Sequence, residues 1–85
     1  KPQQRQHMEH LAGMSGSEFD IEYMRTLTKH HGTAIAMASG FRGQAEHAEL
    51  RSLCDNIVKS QTQEVEQLQM WLRDWYGVRQ EVTAR

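Results

Sequence analysis

Leu50-Arg51-Ser52-Leu53-Cys54-Asp55-Asn56-Ile57 opens a stretch whose apolar residues return every three or four positions. The stripe continues past Gln61 and Glu64 through Leu68, Trp71, Leu72 and Trp75, and stops at Gly77. That spacing follows one face of an α-helix and does not fit the two-residue alternation of a strand. The stretch therefore predicts one helix of about 30 residues, some 45 Å long at 1.5 Å per residue. Working back from it, Gly40-Phe41-Arg42-Gly43 places two glycines where a helix must end and the chain must turn. Before that turn, Phe19, Tyr23, Met24, Leu27, His31, Ala34, Ile35 and Ala38 form a second helical stripe. Ser17-Glu18-Phe19-Asp20 reads as its N-cap with an acidic residue three positions on. The predicted helices are 17 to 40 and 45 to 76.

Further upstream, the polar segment from Gln3 to Leu11 favours a short or frayed helix, and Gly13 to Gly16 reads as a hinge. Residues 78 to 85 read as a disordered tail. The expected organisation is thus an N-terminal His/Met-containing segment (1–16), a helical hairpin domain (17–77) and the tail. The fold class is all-α. With 85 residues the chain is one domain, and a core this small is marginal by itself. One hairpin cannot cover its own apolar stripes, whereas two can by forming a four-helix bundle. A homodimer burying Leu50, Leu53, Ile57, Leu68 and Trp71 is the expected remedy.

Composition removes several classes of function. Ten Lys and Arg against eleven Asp and Glu leave a formal charge of −1, with no basic run. Nucleic acid is not expected as a partner, because binding it needs a concentrated basic field. No apolar run approaches the ~20 residues that cross a bilayer, so membrane insertion is not expected either. The polar opening Lys1-Pro2-Gln3-Gln4 has no hydrophobic segment, so any targeting sequence is expected either to have been removed or to lie outside this stretch. The single Cys54 has no second cysteine to pair with and reads as a small apolar side chain.

Five His and five Met in so short a chain are more telling. Imidazole nitrogen and thioether sulfur lie toward the soft end of the biological ligand range. His30 and Met37 are seven residues apart, as are Met24 and His31. Each pair falls within about 20° on one helix face. On the second helix, Gln61 and Glu64 interrupt a stripe marked as core-facing, and a buried carboxylate must pair, coordinate or protonate. With the turn near residue 43, His30 and His31 should lie opposite residues 55 to 57 and a few turns from Gln61. Taken singly, a helical Met is more often core filler, and a buried His more often a hydrogen-bonded core residue. It is the combination that points to a metal. His7, Met8, His10 and Met14 form a second group upstream, and Met70 stands near the end of the long helix.

Several of these residues also carry a resemblance. Asp20-x-x-Tyr23-Met24, His30-His31-x-x-Ala34-Ile35-x-Met37-Ala38, Leu50-x-x-Leu53, Ile57 and Gln61-x-x-Glu64-Val65-x-x-Leu68-x-x-Trp71-Leu72-x-x-Trp75-Tyr76-Gly77 resemble the bacterial family called domain of unknown function 305. The resemblance covers residues 17 to 77. It implies a ferritin-like helical fold in an exported protein, periplasmic or secreted, with copper bound through His and Met in some members. Carried over by position, it implies His30, His31, Met37, Met24 and Glu64 as metal ligands, with His7, Met8, His10, Met14 and Met70 as secondary candidates. Lys29 stands where members usually have proline before the His pair, and Leu68 where they often have methionine.

Three functions compete on these residues. A Cu(I)-binding protein in copper handling, served by a copper-donor or copper-acceptor protein, agrees best with a Met/His set, since cuprous ion needs no charged ligand. A di-iron carboxylate enzyme would need Glu-x-x-His on two helices, and that motif is absent from the chain. The alternative is a structural or interaction module in which His30, His31 and Glu64 form a buried hydrogen-bond network without metal. No nucleophilic triad, phosphate loop or His-Glu-x-x-His is present. The expected role is binding rather than catalysis.

Overall fold

The computed structural model describes residues 2 to 80, and side chains from residue 5 onward. Three helices, α1 (Pro2–Ala12), α2 (Gly16–Phe41) and α3 (Ala48–Tyr76), account for most of these residues, and none of them is in a strand. Among the described residues, no helix is long and apolar enough to cross a membrane. The all-α expectation is met, and the segment expected to be short or frayed is an 11-residue helix.

Ser15, not Ser17, stands at the start of α2, in extended backbone and without a side-chain capping bond. Gly16 follows at φ 65°, a left-handed conformation that costs glycine little and other residues more. At its far end α2 runs directly into a 3-10 turn, Arg42–Gln44, and α3 begins only at Ala48. Gly77, at φ 64°, ends α3: its N–H donates to the Arg73 carbonyl and that of Val78 to the Leu72 carbonyl, so two otherwise orphaned acceptors are satisfied.

Contacts between α2 and α3 occur in opposite order along the two helices. Asp20 accepts from the Tyr76 hydroxyl at 2.8 Å, His31 meets Glu64 at 2.5 Å, and Arg42 reaches Asp55. Each pair is centred near residue 48, not near the residue 43 expected from the glycines. Moving the centre by about five residues moves each cross-helix partner by about ten, nearly three helical turns. His31 therefore meets Glu64 instead of the region 55 to 57. The reason is local: α2 does not stop at Gly40, and residues 42 to 47 form a turn and linker before α3 starts.

The core sits at the Asp20/Tyr76 end, where Met24, Leu68 and Leu72 are buried together. Ile21, Leu27, Tyr76 and Val78 pack around them. Toward the turn, the α2 side narrows to Gly32 and Ala38, both buried. Thr28, fully buried, donates its hydroxyl to the Met24 carbonyl at 2.7 Å and so leaves no orphan polar atom.

The single stripe read along α3 is two adjacent ones. Val65, Leu68 and Leu72 are buried against the chain itself, with Cys54, Val58 and Gln61 half-buried behind them. Leu50, Ile57, Glu64 and Trp71, spaced by sevens, run beside that row. Leu50 and Leu53 are about half exposed, and Trp71 and Trp75 stack on each other at 5.1 Å on the outside. Leu68 thus belongs to the chain's own core and is not available to a dimer face. Glu64 is likewise no core carboxylate, because its side chain is 61% exposed. Residues 78 to 80 are not a free tail. Gln69 donates to the Gln80 carbonyl and the Gln80 amide donates to the Arg25 carbonyl, so this stretch bridges α3 and α2. The remainder of the expected tail, 81 to 85, lies outside the described residues.

Candidate metal-binding groove

Adjacent helical residues diverge by about 100°, so His30 and His31 cannot serve one neighbour equally. His31 turns toward α3, with 17% of its side chain exposed, and bonds Glu64. The carboxylate can only accept when ionised, so the His31 Nε2–H donates and Nδ1 is left free. His30 turns the other way. It lines a cavity of about 710 Å³ between α1 and α2, together with His7, Met8, Leu11, Tyr23 and Thr26.

The tautomer of His7 follows from its partner. The Thr26 hydroxyl has one proton and places it on the Glu22 carbonyl at 2.8 Å. Toward His7 Nε2, 2.6 Å away, that oxygen is consequently the acceptor. His7 Nε2 carries the proton, and its Nδ1 lone pair is the atom available to a ligand. A metal-bound imidazole is commonly held in this manner by a second hydrogen bond on its other nitrogen.

The groove's charge further narrows what it suits. Glu22 lies 3.8 Å from Arg25, and Lys29 and Arg25 both contribute to the wall. A hard divalent cation needs several oxygen ligands and negative charge to offset its own, and this wall supplies two cations and one paired carboxylate. Two imidazoles and a thioether with little negative charge suit a soft monovalent ion. Gln80 closes one side of the cavity, and its Oε1 is buried without a hydrogen-bond partner among the described residues.

The remaining expected ligands are dispersed. Met24 is buried in the core against Leu68 and Leu72, while Met37 is 57% exposed on α2. Glu64 is with His31 on the α2/α3 side, His10 is exposed, Met14 half-buried, and Met70 is exposed near the end of α3. Among the described residues, no three His, Cys, Asp or Glu side chains gather as a metal-holding group. The donors that line one groove together are His7, Met8 and His30, two from the upstream segment and one from the His pair. Thr26 and Gln80 were not anticipated. Thr26 precedes His30 by four residues and so shares its helix face, a spacing that marks it in the sequence. Gln80 carries no comparable signal.

A family model described as domain of unknown function 305 matches residues 1–82. The chain belongs to that family. The match reaches beyond the stretch 17 to 77 that carries the resemblance and takes in α1, so His7 and Met8 lie within the family's own span. No curated protein and no solved structure matches the chain.

Proposed function

We propose that this chain is a metal-binding protein that takes Cu(I) through histidine and methionine and acts in copper handling rather than catalysis. The observation that supports this reading best is that His7, Met8 and His30 line one groove whose single carboxylate, Glu22, is paired with Arg25. His30, His7 and Met8 would hold the ion there. His31 with Glu64, Met24 and Met37 form the remainder of the candidate set: His31 and Met24 face away from the groove around α2, and Met37 shares the His30 face about two turns further along the helix. In the cell such a protein would exchange its ion with a copper donor or acceptor, in the periplasm or outside the cell. We further propose that α2 and α3 form a ferritin-like hairpin that completes a four-helix bundle by homodimerisation. The outward row of Leu50, Leu53 and Trp71, with half-buried Ile57 beside them, supports it, since these side chains would gain burial from a partner.

Titration with Cu(I), or with Ag(I) as its redox-inert analogue, tests the function. Tight binding of either ion and negligible binding of Mg(II) or Ca(II) is the expected result. Replacing His30 and His31 together with Ala should abolish binding and largely keep helicity, because Ala is the best helix former. Met37→Leu keeps the volume and removes only sulfur, so it isolates any thioether contribution from that position. Binding should also weaken in acid, since imidazole coordinates only when neutral. Cu(I) binding by the double variant as tight as by the parent would defeat the His assignment. The 2.5 Å His31–Glu64 bond favours the second reading, a metal-free interaction module whose helix register this pair holds. That reading expects a melting temperature indifferent to added Cu(I), whereas a ligand bound only by the folded state must raise it.

A further inference from the structure

α1 has little to hold it. Eleven residues are too few for a stable isolated helix in water. Among the described side chains of α1, Leu11 is the only one buried, and the His7–Thr26 bond is the only side-chain hydrogen bond reaching α2. Met8, its other large apolar residue, is 69% exposed. Between α1 and α2 lies the groove instead of a packed seam, and soft donors face it from both sides: His7 and Met8 from α1, His30 from α2.

From this arrangement we infer that α1 is a metal-dependent clasp: a soft monovalent ion shared by His7, Met8 and His30 fastens α1 onto α2, and its loss releases the helix. The inference rests on the soft-metal reading above and adds what binding does to the molecule. Two contacts of the described α1 side chains set the geometry in advance. Leu11 anchors the C-terminal end of α1, and the Thr26 bond fixes the His7 ring with Nδ1 free. Binding then exchanges a loosely held state of α1 for a tightly held one, and the ion shifts that equilibrium by its differential affinity for the two. The α2/α3 core contains none of the three donors and should not respond.

Amide hydrogen exchange on the full chain, with and without one equivalent of Ag(I) in chloride-free buffer, reads this directly, because local opening controls exchange. The expected result is at least about tenfold slower exchange across residues 5 to 12 on adding Ag(I), with α3 unchanged. The pair His7→Ala with Met8→Leu should lose that protection and weaken Ag(I) binding by about tenfold or more, the scale on which disturbing a metal site acts. His31→Ala should keep the protection. Because both substituted residues lie outside the core, circular dichroism of the variant should retain the α2 and α3 signal. Tight Ag(I) binding without protection of α1 would overturn the clasp and leave the copper reading standing; undiminished binding by the His7/Met8 variant would overturn the clasp and remove both residues from the proposed ligand set, with soft-metal binding itself still standing. No Ag(I) binding by the parent would overturn both.

Discussion

Leu72 and Trp71 are neighbours in the chain and should behave in opposite ways when truncated. Leu72 is fully buried among Met24 and Leu68, so Leu72→Ala removes core contacts and leaves a cavity. Comparable core truncations cost about 3 to 5 kcal/mol. For a chain of this length total stability is on the order of 5 to 10 kcal/mol, so that single change should remove a third or more of it. Trp71 is 36% exposed, and much of its contact is the stack with Trp75. An aromatic pair of that kind contributes roughly 0.5 to 1.5 kcal/mol beyond area burial. Trp71→Ala should therefore cost only about 1 to 2 kcal/mol in the isolated chain, below the 3 to 5 of a fully buried indole.

Urea unfolding of both variants, followed by far-ultraviolet circular dichroism over a range of protein concentrations, makes the comparison. The expected order is a large, concentration-independent loss for Leu72→Ala and a small one for Trp71→Ala at low concentration. If the proposed dimer covers the indole, the cost of Trp71→Ala should grow as concentration rises, because association stabilises by mass action. A Trp71→Ala loss equal to that of Leu72→Ala at every concentration would refute the assignment of Leu72 to the inner row and Trp71 to the outer.

Thr28→Val should cost no more than about 1 kcal/mol in the same assay, since it keeps the buried shape and removes one satisfied hydrogen bond. The Arg42 hydrogen bond holds the Asp55 carboxyl below its ordinary range. Its contribution is present above the unfolded value of about 3.9 and is lost as pH falls through the folded one. Asp55→Asn should accordingly flatten the acid limb of a stability profile slightly, as both groups are exposed. Tyr76 donates its proton to Asp20 and titrates above its ordinary range for that reason first. This contribution is complete below pH ~10 and is lost as pH rises through the folded value. Phenolate absorbance should show one tyrosine ionising late, and Tyr76→Phe should remove it.

The helices were legible because periodicity is a local property of the chain. Phe19 to Ala38 and Leu50 to Trp75 repeat at helical intervals whatever surrounds them, and Gly77 marks an end that only a left-handed residue makes well. Three things were not legible. A stripe more than about 100° wide does not say which edge faces inward, so Leu68 and Trp71 read as one surface although Leu72 and Val65 define the inner row. Register depends on where the turn is centred, and the 3-10 turn at Arg42–Gln44 extends the connection past the glycines that announce it. The donor types were visible in the sequence, but their grouping was not. Whether His7 meets His30 depends on how α1 folds back across Gly13 to Ser15, and no spacing within either helix encodes that.

The His-His pair shows why local spacing and site geometry part company. On one helix, residues seven apart share a face while residues one apart do not. His30 therefore belongs with the α1 groove and His31 with the α3 carboxylate. α2 carries two faces at once: Met24, Thr28, Gly32 and Ala38 inward, with His31 among them reaching Glu64, and His30 on another side toward the groove lined by His7 and Met8. The separation has a functional consequence. Under the proposed clasp, a change at the groove need not pass through the core, so a bound ion would alter how α1 is held while the α2/α3 pairing, with its own bonds at Asp20, His31 and Arg42, stays as it is. On that proposal, a chain of marginal stability would couple metal binding to a local rearrangement without staking its whole fold on the ion.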